Sequence, residues 1–240
     1  MSLTTPRNIK LEKQQVAIYL MRPDAVSDEQ LPLLRSMLSD SELQRNQRYA
    51  RASIRRRDVV CRGVLRQLIA GRLQCAPGEL ELLEGDHGKP LLSKKELFFN
   101  YSHSGDYAAF ALCWDAEVGV DIERVRERTD GMAIAKSQFA NSEYQSLLRT
   151  PNISQRQRFF QYWTVKEAFL KARGDGIAGG LNTFSIGIDE DPPRITVSFN
   201  DGRPEHPGDW QFYSAEPIKD YWLALAVQAK GRQYDIAHYA

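Results

Sequence analysis

Residues 117–125 read Glu-Val-Gly-Val-Asp-Ile-Glu-Arg-Val, and the parity of this run decides how the chain is put together. Side chains of a strand alternate faces, so Val118, Val120 and Ile122 line one side while Gly119, Asp121 and Glu123 line the other. Two carboxylates on one face, about 6–7 Å apart at the Cα level, repel each other. Either a cation or a cluster of basic groups lies between them, or they form the solvent-facing side of an edge strand. The stretch alone favours neither.

Outward from this strand the sequence repeats itself. The strand Val16–Met21 (VAIYLM) is followed by a helix start at Ser41-Glu42-Leu43. A long amphipathic helix then runs from about Arg55 to Leu73, its apolar positions Cys61, Val64, Leu65, Leu68 and Ile69 at helical spacing. The strand Val118–Glu123 likewise precedes Ser142-Glu143-Tyr144 and a helix from about Gln157 to Arg173. FNYS (Phe99–Ser102) with YAAFAL (Tyr107–Leu112) is echoed by QFYS (Gln211–Ser214) with YWLALA (Tyr221–Ala226). Four matches in register predict an α+β fold of two similar subdomains from an internal duplication, residues 1–115 and 116–240, packed with pseudo-two-fold symmetry around a shared cleft. Loops are expected at Pro77-Gly78, Gly85–Pro90, Ser104–Asp106, Gly174–Gly180 and Asp191–Pro193.

With 240 residues and 42% hydrophobic content the chain suits one large or two small globular domains. Its 32 Lys and Arg against 31 Asp and Glu give a net charge of +1, which argues against a nucleic-acid-binding protein. Nine arginines between Arg45 and Arg72, with Asp58 the sole acid among them, mark a local anion-facing region. Cys61, Cys75 and Cys113 are scattered and flanked by apolar residues, as core cysteines of a reducing compartment are. The amino terminus lacks the apolar run of a signal peptide and no segment approaches membrane-spanning length, so a cytoplasmic protein without a membrane partner is expected.

In FFQYWTVKEAFLKARGDG (Phe159–Gly176), Phe159, Tyr162, Trp163, Phe169 and Leu170 form the predicted buried stripe, while Glu167 and Lys171 sit one turn apart on another face. The alternative is a surface i,i+4 salt bridge, which contributes only about 0.3–0.5 kcal/mol and is compatible with chance placement. Gly174 is the expected left-handed cap, with Gly176, Gly179 and Gly180 in a mobile loop behind it.

GVDIE (Gly119–Glu123) and WTVKEAFLKARGDG (Trp163–Gly176), with GKP (Gly88–Pro90) and NYSHS (Asn100–Ser104), resemble the signatures of the 4′-phosphopantetheinyl transferases. The likeness is to the long, single-chain class typified by the surfactin-synthetase activator, in which two similar halves make one monomer. The resemblance implies transfer of the phosphopantetheine arm of coenzyme A to a serine of an apo acyl or peptidyl carrier protein, with release of adenosine 3′,5′-bisphosphate. It implies that Asp121, Glu123 and Glu167 hold Mg²⁺, with Mn²⁺ the alternative, against the pyrophosphate. Glu167, or a water it orients, would accept the serine proton, and Lys171 would neutralise the pyrophosphate.

The first half would bind the nucleotide end through Gly88, Lys89 and Pro90, through Ser102 and His103, and through Arg45 and Arg57, with most of the arginine cluster a solvated basic face. Glu42 stands where a relative offers lysine. Arg124–Phe139, with Met132, Ile134 and Lys136, would meet the carrier. A serine hydrolase around SHSGD (Ser102–Asp106) is disfavoured, because adjacent Ser and His in one strand point to opposite faces and no G-x-S-x-G elbow is present. A non-catalytic coenzyme A or carrier-binding module would have no need of the three acids and Lys171 together.

Overall fold

The two halves lay down their elements in one order. In the computed structural model, residues 11–85, 87–176, 180–199 and 205–239 are described. The first ten residues, where the sequence shows no signal peptide, and Gly179 of the expected loop lie outside them. The first half runs β1 (Gln15–Met21), α1 (Leu31–Ser36), α2 (Asp40–Gln47), α3 (Ala52–Leu73), a short hairpin of β2 (Leu82–Glu84) and β3 (Pro90–Leu92), then β4 (Phe98–Ser104) and β5 (Tyr107–Cys113). The second runs β6 (Val118–Arg124), α4 (Gly131–Gln138), α5 (Asn141–Arg149), α6 (Asn152–Arg173), the hairpin β7 (Phe184–Glu190) and β8 (Pro193–Phe199), then β9 (Trp210–Ile218) and β10 (Tyr221–Gln228).

Sheet order repeats as well. The first sheet contains β1-β5-β4 and the second β6-β10-β9, all antiparallel neighbours. Parity explains the layering. Val118, Val120 and Ile122 pack with Val16, Ile18, Ala109, Leu223 and Leu225 in a core between the two sheets. The outer face of the first sheet is covered by α3 through Leu65, Leu68 and Ile69, and that of the second by α6 through Phe159, Phe169 and Leu170. The apolar stripe of α6 is buried as the spacing predicts, Trp163 only in part.

Both long helices have 22 residues, and each carries a buried ion pair at the same place. Glu42 and Glu143 are each the third residue of the short helix before, and their carboxylates cap that helix by accepting from Ser39 N–H and Ala140 N–H, both at 2.9 Å. Each also meets a cation at the fifteenth residue of the long helix: Arg66 Nε lies 2.8 Å from Glu42 and Lys166 Nζ 2.6 Å from Glu143. Arg66 is 2% exposed and also donates to the carbonyls of Pro77 and Leu80, so it belongs to the interior and not to a solvated basic face. Arg62, paired with Asp58, is similarly withdrawn. The expectation of a mostly solvated arginine cluster fails there because buried carboxylates need partners.

One strand departs from the two-half scheme. β11 (Asp235–Tyr239) crosses back and pairs in parallel with β1, extending the first sheet to β11-β1-β5-β4, with Tyr239 stacked on Tyr19 at 5.0 Å. Cys61 and Cys113 are buried free thiols, and Cys75 is half-buried. Among the described residues no helix is long and apolar enough to cross a membrane.

Removing one member of a buried pair leaves the other charged and unpartnered. Lys166→Met is therefore expected to lower the unfolding free energy by about 3–5 kcal/mol in urea titration, whereas Lys230→Met, at an exposed turn, leaves it unchanged.

Candidate active site

The chemistry gathers where the edge strands of the two sheets meet. β4 and β6 are joined through side chains. Asn100 Oδ1 accepts from the Val120 N–H at 3.0 Å, Ser102 Oγ donates to Asp121 Oδ1 at 2.8 Å, and Ser104 Oγ donates to Glu123 Oε2 at 2.6 Å. The polar residues of β4 alternate, so all three point at β6 while Phe99 and Tyr101 face α3.

Helix α6 is seated on β6 at Gly119. A Cβ there would stand 2.1 Å from the Ala168 carbonyl oxygen and 2.3 Å from the Ala172 nitrogen, so only glycine permits this approach. Gly174 ends the helix in the left-handed region (φ 83°), donating its N–H to the Leu170 carbonyl. The contact brings Lys171 over the strand, its Nζ 2.6 Å from Asp121 Oδ1 and 2.9 Å from Ser102 Oγ. Glu167 lies one turn earlier, 8% exposed. These residues form neither a solvated strand face nor a surface helix pair: Asp121 is 2% exposed, and Lys171 pairs across to β6 and not with Glu167 along a helix surface. The corresponding positions of α3 are Gln67 and Gly71, so the charged set belongs to the second half alone.

Three carboxylates share this corner, and their charges show it. Burial, with the Asp121 charge next, pushes the Glu167 carboxyl up to about 7 against the opposing pull of Lys171. Glu123 is raised for the same first two reasons. Asp121 Oδ2 and Glu167 Oε1 are buried without a hydrogen-bond partner. Such oxygens suit a hard divalent cation in chemistry. Among the described residues, however, no three His, Cys, Asp or Glu side chains are gathered closely enough to form a metal-binding group as they stand.

A cavity of about 560 Å³ opens beside them, lined from the first half by Arg62, Lys89 and Tyr101 and from the second by Glu167, Leu170 and Lys171. Gly88 (φ 80°) and Pro90 lie on its wall. Lys89 is held across the halves: its Nζ is 2.8 Å from Glu117 and donates to the Ala172 carbonyl at the end of α6 at 3.0 Å. Ser102 and His103 point to opposite faces of β4, Ser102 into the seam and His103 outward, exposed, with its pKa lowered by partial desolvation and by the Arg57 and Lys171 charges. Arg57 is half-buried on the same side as His103, and Arg45 is paired with Glu84. Asn100, Ser104 and Arg62 escaped the sequence reading. The signal for the first two was the alternation of polar residues in NYSHS, which matches that of the acids on β6.

Residues 117–226 match the 4′-phosphopantetheinyl transferase superfamily, and residues 25–114 match the family described as 4′-phosphopantetheinyl transferase, N-terminal. The chain is 33% identical over 242 residues to the 4′-phosphopantetheinyl transferase HetI of Nostoc sp., covering 99% of this chain and 98% of that one. The chain belongs to the 4′-phosphopantetheinyl transferase superfamily. A putative 4′-phosphopantetheinyl transferase of Synechocystis sp. is 35% identical over 205 residues, 82% of this chain and 81% of its own. The enzyme Sfp of Bacillus subtilis is 28% identical over 176 residues, 72% and 76% of the two chains, which sets this transferase in the long, two-half class.

A methyl group at the α6–β6 contact cannot be absorbed by backbone atoms on both sides. Gly119→Ala is expected to cost this phosphopantetheinyl transferase about 3 kcal/mol of stability, the upper part of the range for overpacking, measured by thermal and urea unfolding. A substitution of the same kind at Gly78, where an added Cβ meets nothing within 4 Å, leaves stability nearly unchanged.

Proposed function

We propose that this transferase moves the 4′-phosphopantetheine arm of coenzyme A onto a serine hydroxyl of an apo acyl or peptidyl carrier protein and releases adenosine 3′,5′-bisphosphate. The observation that carries the reading is the meeting of Glu167, Asp121 and Lys171 at one end of the cavity between the halves.

The serine oxygen forms a bond to the phosphorus nearer the pantetheine, and the bond from that phosphorus to the bridging oxygen breaks. Glu167 lines the cavity, so its carboxylate, directly or through a water it orients, is placed to accept the serine proton. Lys171 brings fixed positive charge to the same end of the cavity, where the leaving phosphate gains negative charge. Asp121, Glu123 and Glu167 would hold Mg²⁺ or Mn²⁺, which when bound supplies charge neutralisation at the pyrophosphate. Two orphaned carboxylate oxygens support that assignment.

The nucleotide end is assigned to the first half: to Gly88 and Pro90 on the cavity wall and to His103 with Arg57 beside it, whereas Ser102, expected there too, is engaged in the seam by Asp121 and Lys171. Lys89 contributes by fixing this loop to α6, and Arg45 by its place at the loop's approach through Glu84. For the carrier, Met132 and Ile134 rest partly buried against the second core while Lys136 is exposed. Met132 shares a groove of about 390 Å³ with Ile153, which is 92% exposed, and with the polar side chains of Asp130, Asn152 and Arg156, a mixed surface open to a partner. Because each half supplies part of one cavity, the active species is read as a single chain.

Incubation with coenzyme A, Mg²⁺ and a panel of apo carriers, followed by intact mass, tests the reaction. The expected result is a carrier gaining the mass of one phosphopantetheine, no gain in excess chelator, and no detectable gain with Asp121→Ala or Glu167→Ala that remain folded by circular dichroism. Undiminished transfer in chelator refutes the metal assignment, and transfer to no carrier with coenzyme A consumed elsewhere refutes the acceptor.

A further inference from the structure

The acids of β6 are held from the other half of the molecule, and Ser104 is the clearest instance. It is the last residue of β4 and 4% exposed. Its Oγ accepts the backbone N–H of Arg124 at 3.2 Å and stands 2.6 Å from Glu123 Oε2. A hydroxyl has a single proton. With the Arg124 N–H occupying its acceptor side, that proton is directed to the Glu123 carboxylate, giving a short, charge-assisted bond. Ser102 follows the same pattern, accepting from Lys171 and donating to Asp121, but there the lysine touches the carboxylate as well. Among the described residues Glu123 has no cation in contact, the Arg126 and Lys171 charges reaching it only at longer range, so the hydrogen bond that orients it comes from the neutral donor on β4.

We propose that Ser104 is a positioning residue that fixes the Glu123 carboxylate for a divalent cation, so that the ligand set of the second half is aligned by a strand of the first. The proposal rests on the reading of Glu123 as a metal ligand. A glutamate has three side-chain torsions to order, and a partner that orders them in advance raises affinity for the metal without touching it. Loss of such a partner from a ligating side chain typically weakens metal binding by about 10-fold or more.

The test compares wild type with Ser104→Ala, Ser104→Thr and Glu123→Gln. Mn²⁺ binding is read from the electron paramagnetic resonance signal of the free ion, with coenzyme A present and no carrier, so that nothing turns over. Coenzyme A binding is read separately by calorimetry in chelator. Ser104→Ala is expected to raise the Mn²⁺ Kd about 10-fold while leaving metal-free coenzyme A affinity unchanged. Ser104→Thr, which keeps the hydroxyl and suits a strand, is expected to return Mn²⁺ affinity toward wild type. Wild-type Mn²⁺ affinity in Ser104→Ala alongside weakened binding in Glu123→Gln overturns the positioning role and leaves the metal assignment standing. A parallel loss of Mn²⁺ and coenzyme A affinity, or failure of threonine to rescue, makes the residue merely structural and also overturns it. Wild-type Mn²⁺ binding in Glu123→Gln removes the metal assignment and the proposal together.

Discussion

The arrangement depends on a seam in which side chains do the work of a backbone ladder. β4 and β6 are edge strands of different sheets, and Asn100, Ser102 and Ser104 bridge them with bonds of 3.0, 2.8 and 2.6 Å. Serine and asparagine side chains add reach, so the sheets can pack face to face over Val120 and Ile122 while their edges stay hydrogen-bonded. Two of the three bonds end on carboxylates, which couples the join between the halves to the electrostatics of the site. Replacing Ser104 with an apolar residue would take the hydrogen-bond donor from the half-buried Glu123 carboxylate at the place where the halves are held together, whereas Asp121 would keep Lys171.

The repeated ion pairs show a second constraint. Glu42–Arg66 and Glu143–Lys166 each tie a short helix to the middle of a long one, and each carboxylate also caps the short helix. Buried pairs of this kind add little net stability compared with apolar substitutes, but they are costly to mismatch. Placing the same device at the same helical position in both halves fixes the register of each long helix. In the second half that register sets Glu167 and Lys171 over Asp121. In the first half it presents Gln67 and Gly71 at those places, with no charge to contribute.

Much of this could be read from the residues because it depends on parity and period. The alternation in Val118–Glu123 separates core from site, helical spacing finds Phe159, Phe169 and Leu170, and the recurrence of Ser-Glu before a long helix reveals the repeat of topology. Other features had no local signal. Lys89 meets Glu117, far along the chain, and the carbonyl of Ala172, a backbone atom that no residue type announces. Arg66 looks like its eight neighbours in the arginine cluster, and only the fold brings Glu42 to it. The hairpin β7–β8 did carry a signal, since FSIGIDE and RITVSF alternate, but the turn at Asp191-Pro192 was the part that stood out.

The return of β11 to β1 has a bearing on how the protein is built in time. β1 is among the earliest described strands and β11 is the last, yet they are neighbours in one sheet, with Gln15 opposite Asp235 and Tyr19 opposite Tyr239. Such a pairing joins strands from opposite ends of the described residues, a slow event compared with forming α3 or the β4–β5 hairpin. Until it forms, one edge of β1 is open, carrying the apolar side chains of Val16 and Ile18 on a strand able to recruit foreign ones. The first half therefore reaches its final form only after the second half has been made. During that interval a chaperone, or the second half itself, has an unprotected edge to cover.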